Sequence, residues 1–242
     1  MFCTRWCLMK INYVACFYFG QRRQYRYLSD NFLFIKEHLN FLSTLPEDSA
    51  IQKATFVIND DGVTSQQYID ELIDSYNLSL KIDLLWRANA GYSYAAWQDG
   101  VLGNMNDGFD YHFLIEDDYI PVGNEFYQPF IDSYNDKTAF SAVLVWFPEG
   151  KDFPSISNGL LSNDKCLKVY SKYNKIFDIV VGNDYFDAEK TQMSFLNLFK
   201  GEGFDLQQID DEIHKPFRLL ERIVHHGGSK PMVIKPIIME DH

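Results

Sequence analysis

Along the first half of the chain, apolar positions alternate between two spacings. Residues 13–19 form a compact apolar and aromatic run of strand length, closed by Gly20. Ser29, Asp30 and Asn31 can each cap a helix, and Phe32, Ile35, Leu39 and Leu42 then recur at helical spacing. Residues 54–58 predict a second strand, broken by the turn residues Asn59, Asp60, Asp61 and Gly62. Thr64 or Ser65 can cap a second helix carrying Tyr68, Leu72 and Ile73 on one face, and residues 80–86 predict a third strand. A third helix is expected over residues 92–102, and a fourth strand runs into Glu116, Asp117 and Asp118. Four strands separated by helical segments imply an α/β fold: a mostly parallel central sheet with helices on both faces.

The alternation fades after Pro121. Residues 139–147 and 165–170 read as strands, 190–199 as a helix and 232–239 as a final strand. Residues 148–163, rich in Pro, Gly, Ser and Asn, read as a loop on the rim of a binding site. Trp146 and Phe147, at its start, could stack on a sugar ring, although such aromatics more often fill a core.

Composition narrows the function. With 242 residues, 46% of them hydrophobic, the chain can bury a core large enough for one domain spanning 1–242. The formal net charge of −12 argues against nucleic acid or anionic membrane as a partner, since both reward clustered Lys and Arg. Cys3, Cys7, Cys16 and Cys166 form neither a disulfide framework nor a zinc pattern. No targeting signal and no integral membrane segment is read, which leaves a cytoplasmic location as the expectation.

The chemistry concentrates where the fourth strand stops. Three consecutive carboxylates cost stability unless something positive sits among them, and hard oxygen ligands suit Mg²⁺ or Mn²⁺. Pro121 is expected to end the strand, leaving the acids beyond its carboxyl end, the edge where open α/β sheets bind ligands. The other three strands also end in polar residues. Gly20 permits close backbone approach, and Arg22 and Arg23 could grip a diphosphate. Asp60 or Asp61 could accept from a nucleobase NH. Arg87 precedes Asn89 and Gly91, with Ser93 as the expected N-cap of a helix whose amino end favours anions.

The order of apolar strand, acidic turn after strand two, Arg-x-Asn-x-Gly before a helix, and strand four ending in Glu-Asp-Asp resembles the nucleotide-sugar half of a GT-A-fold glycosyltransferase. It is similar to inverting family 2 and to small virus-encoded relatives. The resemblance implies a nucleotide-sugar-binding half over about 10–121 and an acceptor half over 122–242. It implies Asp60 or Asp61 at the base, Arg87, Asn89 and Asp117 near the nucleotide sugar, and Asp118 with Glu116 as the metal acids. The donor would be a nucleoside-diphosphate sugar, most simply a UDP-sugar, and the acceptor a glycan or other hydroxyl. Glu189 would be the catalytic base, with Asp187 its nearest rival and Asp184, Asp205, Asp210 and Asp211 further candidates. His225, His226 or His242 would supply a third metal ligand. Competing readings are a non-catalytic module that binds nucleotide sugar or glycan, and a sugar nucleotidyltransferase. The latter wants a phosphate loop richer in glycine than Gly20-Gln21-Arg22-Arg23.

Overall fold

The computed structural model describes residues 9–19, 32–60, 62, 64–146, 154–181, 187, 190–191, 194–209 and 217–219; for 144–146, 154–157 and 218–219 it describes the backbone alone. At its centre lies β1 (Ile11–Phe19), buried along nearly all its length. A strand covered on both faces must be apolar at both parities, and its sequence is. Parallel to β1 run β2 (Ile51–Asp60) on one side and β4 (Tyr111–Glu116) on the other, with β3 (Lys81–Arg87) parallel to β2 at the edge. Beyond β4 the sheet changes direction. β7 (Pro154–Ser162) is antiparallel to both β4 and β6 (Thr138–Trp146), and β8 (Asp205–Ile209) is parallel to β6. The seven-stranded order is β3-β2-β1-β4-β7-β6-β8. A separate pair joins β5 (Tyr119–Pro121) to β9 (Phe217–Leu219).

Side-chain alternation divides the core between the two faces. Tyr13, Ala15 and Phe17 of β1 point to one face, covered by α1 (Leu33–Ser43), α2 (Gln66–Asp74) and α4 (Gln128–Asp132). Val14 and Cys16 point to the other, covered by α3 (Tyr92–Leu102), α5 (Asn163–Tyr173) and α6 (Asn197–Gly201). Gly100 lets α3 lie close to the sheet: a Cβ there would fall 2.5 Å from Val14 Cγ1 and 3.0 Å from Val57 Cγ2. The parallel α/β expectation holds.

Several local expectations do not. Residues 165–170 lie inside α5, because Asn163, Cys166 and Val169 are buried at helical spacing. Most of the expected loop at 148–163 is β7, a central strand. Its small residues serve close packing, since a Cβ at Gly159 would sit 2.6 Å from the Ser141 carbonyl oxygen. Asn59 and Asp60 belong to β2 rather than to the turn after it. Ser65 does cap α2, accepting from the Tyr68 amide, but the buried residue of that helix is Ile69, with Tyr68 exposed. The single helix expected over 190–199 is interrupted: Lys190, Thr191 and Ser194 are helical, a turn follows, and α6 begins at Asn197. The caps at Ser29, Asp30 and Asn31 and the strand expected over 232–239 lie outside the described residues.

Candidate functional site

The parallel strands β1 to β4 finish at a common edge, where Phe19 lies opposite Asp60, Asn59 opposite Arg87 and Cys16 opposite Glu116. β4 stops at Glu116, before Pro121, which belongs instead to β5; Asp117 and Asp118 form the turn between the two strands. Both aspartates are buried, at 3% and 7% exposure, although they end a strand at a sheet edge. Burial of neighbouring carboxylates is costly, so the turn needs partners from other elements.

Glu116 and Asp117 are tied to three different elements. Ser93, in the first turn of α3, donates its hydroxyl to Glu116 Oε1 at 2.8 Å. The Tyr18 amide of β1 donates to Asp117 Oδ2 at 3.4 Å. His38 of α1, fully buried, bonds the Asp117 carbonyl through Nε2 at 3.0 Å and the Tyr13 hydroxyl through Nδ1 at 2.6 Å. The chemistry of these partners fixes the tautomer. A carbonyl can only accept, so Nε2 carries the hydrogen and Nδ1 accepts from Tyr13. Burial holds the imidazole neutral, its pKa lowered to about 4 despite the opposing pull of the Asp117 carbonyl and charge.

Ser93 is therefore not the helix cap. Gly91 is, with φ of 78°, and Tyr92 follows at φ of 56°. Two consecutive left-handed residues turn the chain sharply into α3; the first is glycine, the second carries strain that a tyrosine rarely accepts.

Arg87 sits at the end of β3 as expected, but its fork is engaged within the scaffold. Nε donates to Asp99 at 2.7 Å, Nη1 to Asn59 Oδ1 at 2.5 Å and Nη2 to the Ala90 carbonyl at 2.9 Å. Asn59 in turn donates to the Phe17 carbonyl at 3.3 Å. Arg87 thus clamps three strand ends and the loop entering α3. Asp60 closes β2, and Asn89 lies half-buried in the same loop. Gly20, Arg22, Arg23, Asp61 and Glu189, together with Asp184, Asp210, Asp211, His225, His226 and His242, lie outside the described residues, as do Phe147 and the Trp146 side chain.

A second approach to this edge comes from the far half of the chain. After α5, capped at Asn174, the backbone amides of Ile176 and Phe177 donate to Gln98 Oε1 on α3, and Ile179 reaches Gly91 at the amino end of that helix. The Val180 amide then donates to Thr191 Oγ1 at 2.8 Å. Residues 176–180 thereby climb α3 to the carboxyl edge and bring the helical residues near Thr191 with them. Asp187 is in this stretch, bonded to Lys190 at 3.2 Å. Asp205, by contrast, opens β8, which runs parallel to β4 through β6 and β7, so it lies at the opposite edge and is removed as a candidate base.

The donor chemistry at the turn fits a hard divalent ion. Among the described residues no three His, Cys, Asp or Glu side chains converge as a metal cluster. Mg²⁺ characteristically takes one or two carboxylates and completes its shell with phosphate and water, a requirement Glu116 and Asp118 satisfy in kind. A cavity of about 510 Å³ lies elsewhere, along the edge strand β3, lined by Asp70, Asp74, Asp83 and Asp99. Its lining is hostile to phosphates. The sequence reading missed His38 and the Ser93–Glu116 contact; position 38 falls on the Ile35, Leu39 and Leu42 stripe, and a histidine on such a stripe is the available signal.

The fold is of the GT-A type found in nucleotide-diphospho-sugar transferases. A protein of Desulfovibrio desulfuricans G20 assigned as a nucleotide-diphospho-sugar transferase superposes with a TM-score of 0.52 over 84% of this chain and 80% of its own, at 10% identity. A cytidylyltransferase from Leptospira borgpetersenii serovar Hardjo-bovis (strain JB197) does so with a TM-score of 0.50 over 85% and 77%, at 9% identity. The glycosyltransferase GlyE of Streptococcus pneumoniae TIGR4 gives 0.46, with this chain spanning 47% of its length at 12% identity. No family model matches the chain, and no curated protein is similar to it in sequence. Likeness at this identity defines the fold and singles out no family. Among the described residues no helix is long and apolar enough to cross a membrane.

Proposed function

We propose that the chain is a glycosyltransferase that moves a sugar from a nucleoside-diphosphate donor, a UDP-sugar, to a hydroxyl acceptor, in the manner of inverting family 2. One observation carries the reading: three acids at the tip of β4, two of them, Glu116 and Asp117, bonded from other elements, on the carboxyl edge of a GT-A-type sheet. A bound Mn²⁺ or Mg²⁺ would supply charge neutralisation to the departing diphosphate. Glu116 and Asp118 would hold it, Ser93 keeping the Glu116 carboxylate in place. Asp60 or Asp61 would read the base, and Arg22, Arg23, Asn89 and Asp117, with the backbone at Gly20, would line the nucleotide. Arg87 enters this scheme as the residue that fixes the loop ahead of α3. Glu189 would take the acceptor proton, a role supported by the climb of residues 176–180 towards the same edge. Asp187, already paired with Lys190, is the weaker base.

A sugar nucleotidyltransferase is the second reading, favoured by the fold likeness to a cytidylyltransferase. Its product separates it: pyrophosphate is released rather than nucleoside diphosphate. The test is thermal shift with nucleoside diphosphates and their sugars, with and without Mn²⁺, on wild type and Asp118→Ala. A ligand at 100 times its dissociation constant should stabilise by about 2.7 kcal/mol. Manganese-dependent stabilisation by UDP, lost in Asp118→Ala, is the expected result; no response to any nucleotide would set the reading aside. Glu189→Gln should abolish turnover and spare binding, whereas an unchanged rate would remove Glu189 as the base.

A further inference from the structure

We infer that His38 is a positioning residue for the donor site, holding through Nε2–H the peptide unit from which Asp118 projects. The inference rests on the donor-site reading above. The Asp117 carbonyl belongs to the peptide plane that joins Asp117 to Asp118, so its orientation sets where the second aspartate starts. His38 reaches it from α1, which covers the opposite side of the Asp117 turn from Ser93.

The imidazole is built in on every side. Tyr13 donates to Nδ1, and the ring meets Phe17 edge-on at 5.1 Å and lies 5.8 Å from the Tyr13 ring and 6.4 Å from Phe56. Apart from the Tyr13 hydroxyl, nothing in this apolar shell calls for a polar ring. A leucine would continue the stripe of Ile35, Leu39 and Leu42 but would take the Nε2–H donor away from the buried Asp117 carbonyl. Tyr13 and His38 instead place two polar groups in the core, and among their described hydrogen bonds the one leaving the pair ends on Asp117. Such an arrangement gives a turn one fixed geometry, as neighbours of metal ligands do when they orient the ligands they touch.

The variants separate positioning from simple core stability. In His38→Gln the amide nitrogen can occupy the place of Nε2 and keep the donor to Asp117, whereas in His38→Asn it can reach only the Nδ1 side. His38→Leu removes both bonds; Tyr13→Phe removes the buried hydroxyl and leaves Nε2–H in place. The first readout is hydrogen–deuterium exchange of the 116–119 backbone in ligand-free protein, and the second is Mn²⁺-dependent affinity for UDP by calorimetry. We expect His38→Leu and His38→Asn to speed exchange at the turn and weaken UDP at least tenfold. His38→Gln should stay within about threefold of wild type, and Tyr13→Phe should lower the melting temperature while moving neither readout more than twofold. Wild-type exchange in His38→Leu, or in His38→Asn should the leucine variant not fold, would overturn the inference. So would loosening of the turn by Tyr13→Phe in proportion to lost stability. If wild type binds no UDP with Mn²⁺, the donor-site reading fails while the exchange data still decide what His38 holds.

Discussion

Two fully buried histidines, one near each end of the parallel sheet, make the same bonds to opposite effect. His38 and His112 are both neutral, each with its pKa lowered to about 4 by burial, and both donate from Nε2 while accepting at Nδ1. His112, near the amino end of β4, accepts from Asn12 at 3.3 Å and donates to Asn163 at 3.0 Å. Asn12 accepts from Thr55, Thr55 from Asn104, and Asn104 and Asn163 donate further to the carbonyls of Gly100, Met105 and Phe109. That chain closes on the scaffold. The His38 chain opens onto the acidic turn. The difference teaches that a buried histidine is classified by the last atom its network touches, not by its own burial or charge.

The comparison breaks first under acid. Each imidazole is neutral when folded and would have an ordinary pKa near 6.5 when unfolded, so the unfolded chain binds more protons between those values. Stability is therefore fully present above pH 6.5 and is lost as pH falls from 6.5 towards 4, by about 3 kcal/mol for each histidine. Urea unfolding at pH 7 and pH 4.5 measures it; a flat profile would mean that the fold holds neither ring neutral. The next largest effect separates the pair. His112→Leu strands the Asn12 amide and the Asn163 carbonyl oxygen in the core, at a cost of about 4 kcal/mol, yet should leave Mn²⁺-dependent UDP binding unchanged wherever the variant is folded. Weakened nucleotide binding there would erase the distinction between the two networks.

How far such features were legible depends on the range of the interactions. β1 and β4 could be read because a strand buried on both faces is largely apolar, and the acids after Ile115 stand out against that background. The edge strand β3 could be read because Ile82, Leu84, Leu85 and Trp86 form an apolar run, although only half-buried. β7 could not, because its glycine, serine and asparagine residues are chosen by the strands on either side: Gly159 admits the Ser141 carbonyl, a contact with no local signal. α5 was read as a strand because Leu167, Val169 and Tyr170 cluster in sequence, while only Cys166 and Val169 share the buried face with Asn163. At the site the acids were visible, but the Ser93–Glu116 and His38–Asp117 bonds span 23 and 79 residues, and Arg87 spends its donors on Asn59 and Asp99 rather than standing open to an anion.

One helix joins the two regions and offers a shared perturbation. α3 carries Ser93 near the acidic turn and leads at its other end into Asn104 of the His112 network. Gly100→Ala would push a methyl against Val14 and Val57, whose branched side chains cannot swing aside, and should cost about 2 kcal/mol. Unlike His112→Leu, it should also weaken UDP, because lifting the helix moves Ser93. A pure stability loss, seen by thermal unfolding beside unchanged calorimetry, would show the two ends of α3 to be independent.

The smallest effect falls on Ser93 itself, and it sharpens the comparison most. Glu116 is only partly buried, so water can replace the hydroxyl, and Ser93→Ala should change stability by no more than about 0.5 kcal/mol. The same bond presets one carboxylate of the proposed metal pair, and its loss of about 1 kcal/mol in preorganisation should weaken Mn²⁺-dependent UDP binding about fivefold. His112→Leu and Ser93→Ala would then form opposite corners: one large in stability and silent in binding, the other silent in stability and measurable in binding. Should Ser93→Ala leave the Mn²⁺-dependent affinity untouched, Glu116 would cease to be a metal acid and Asp118 would have to hold the ion with the nucleotide and water alone.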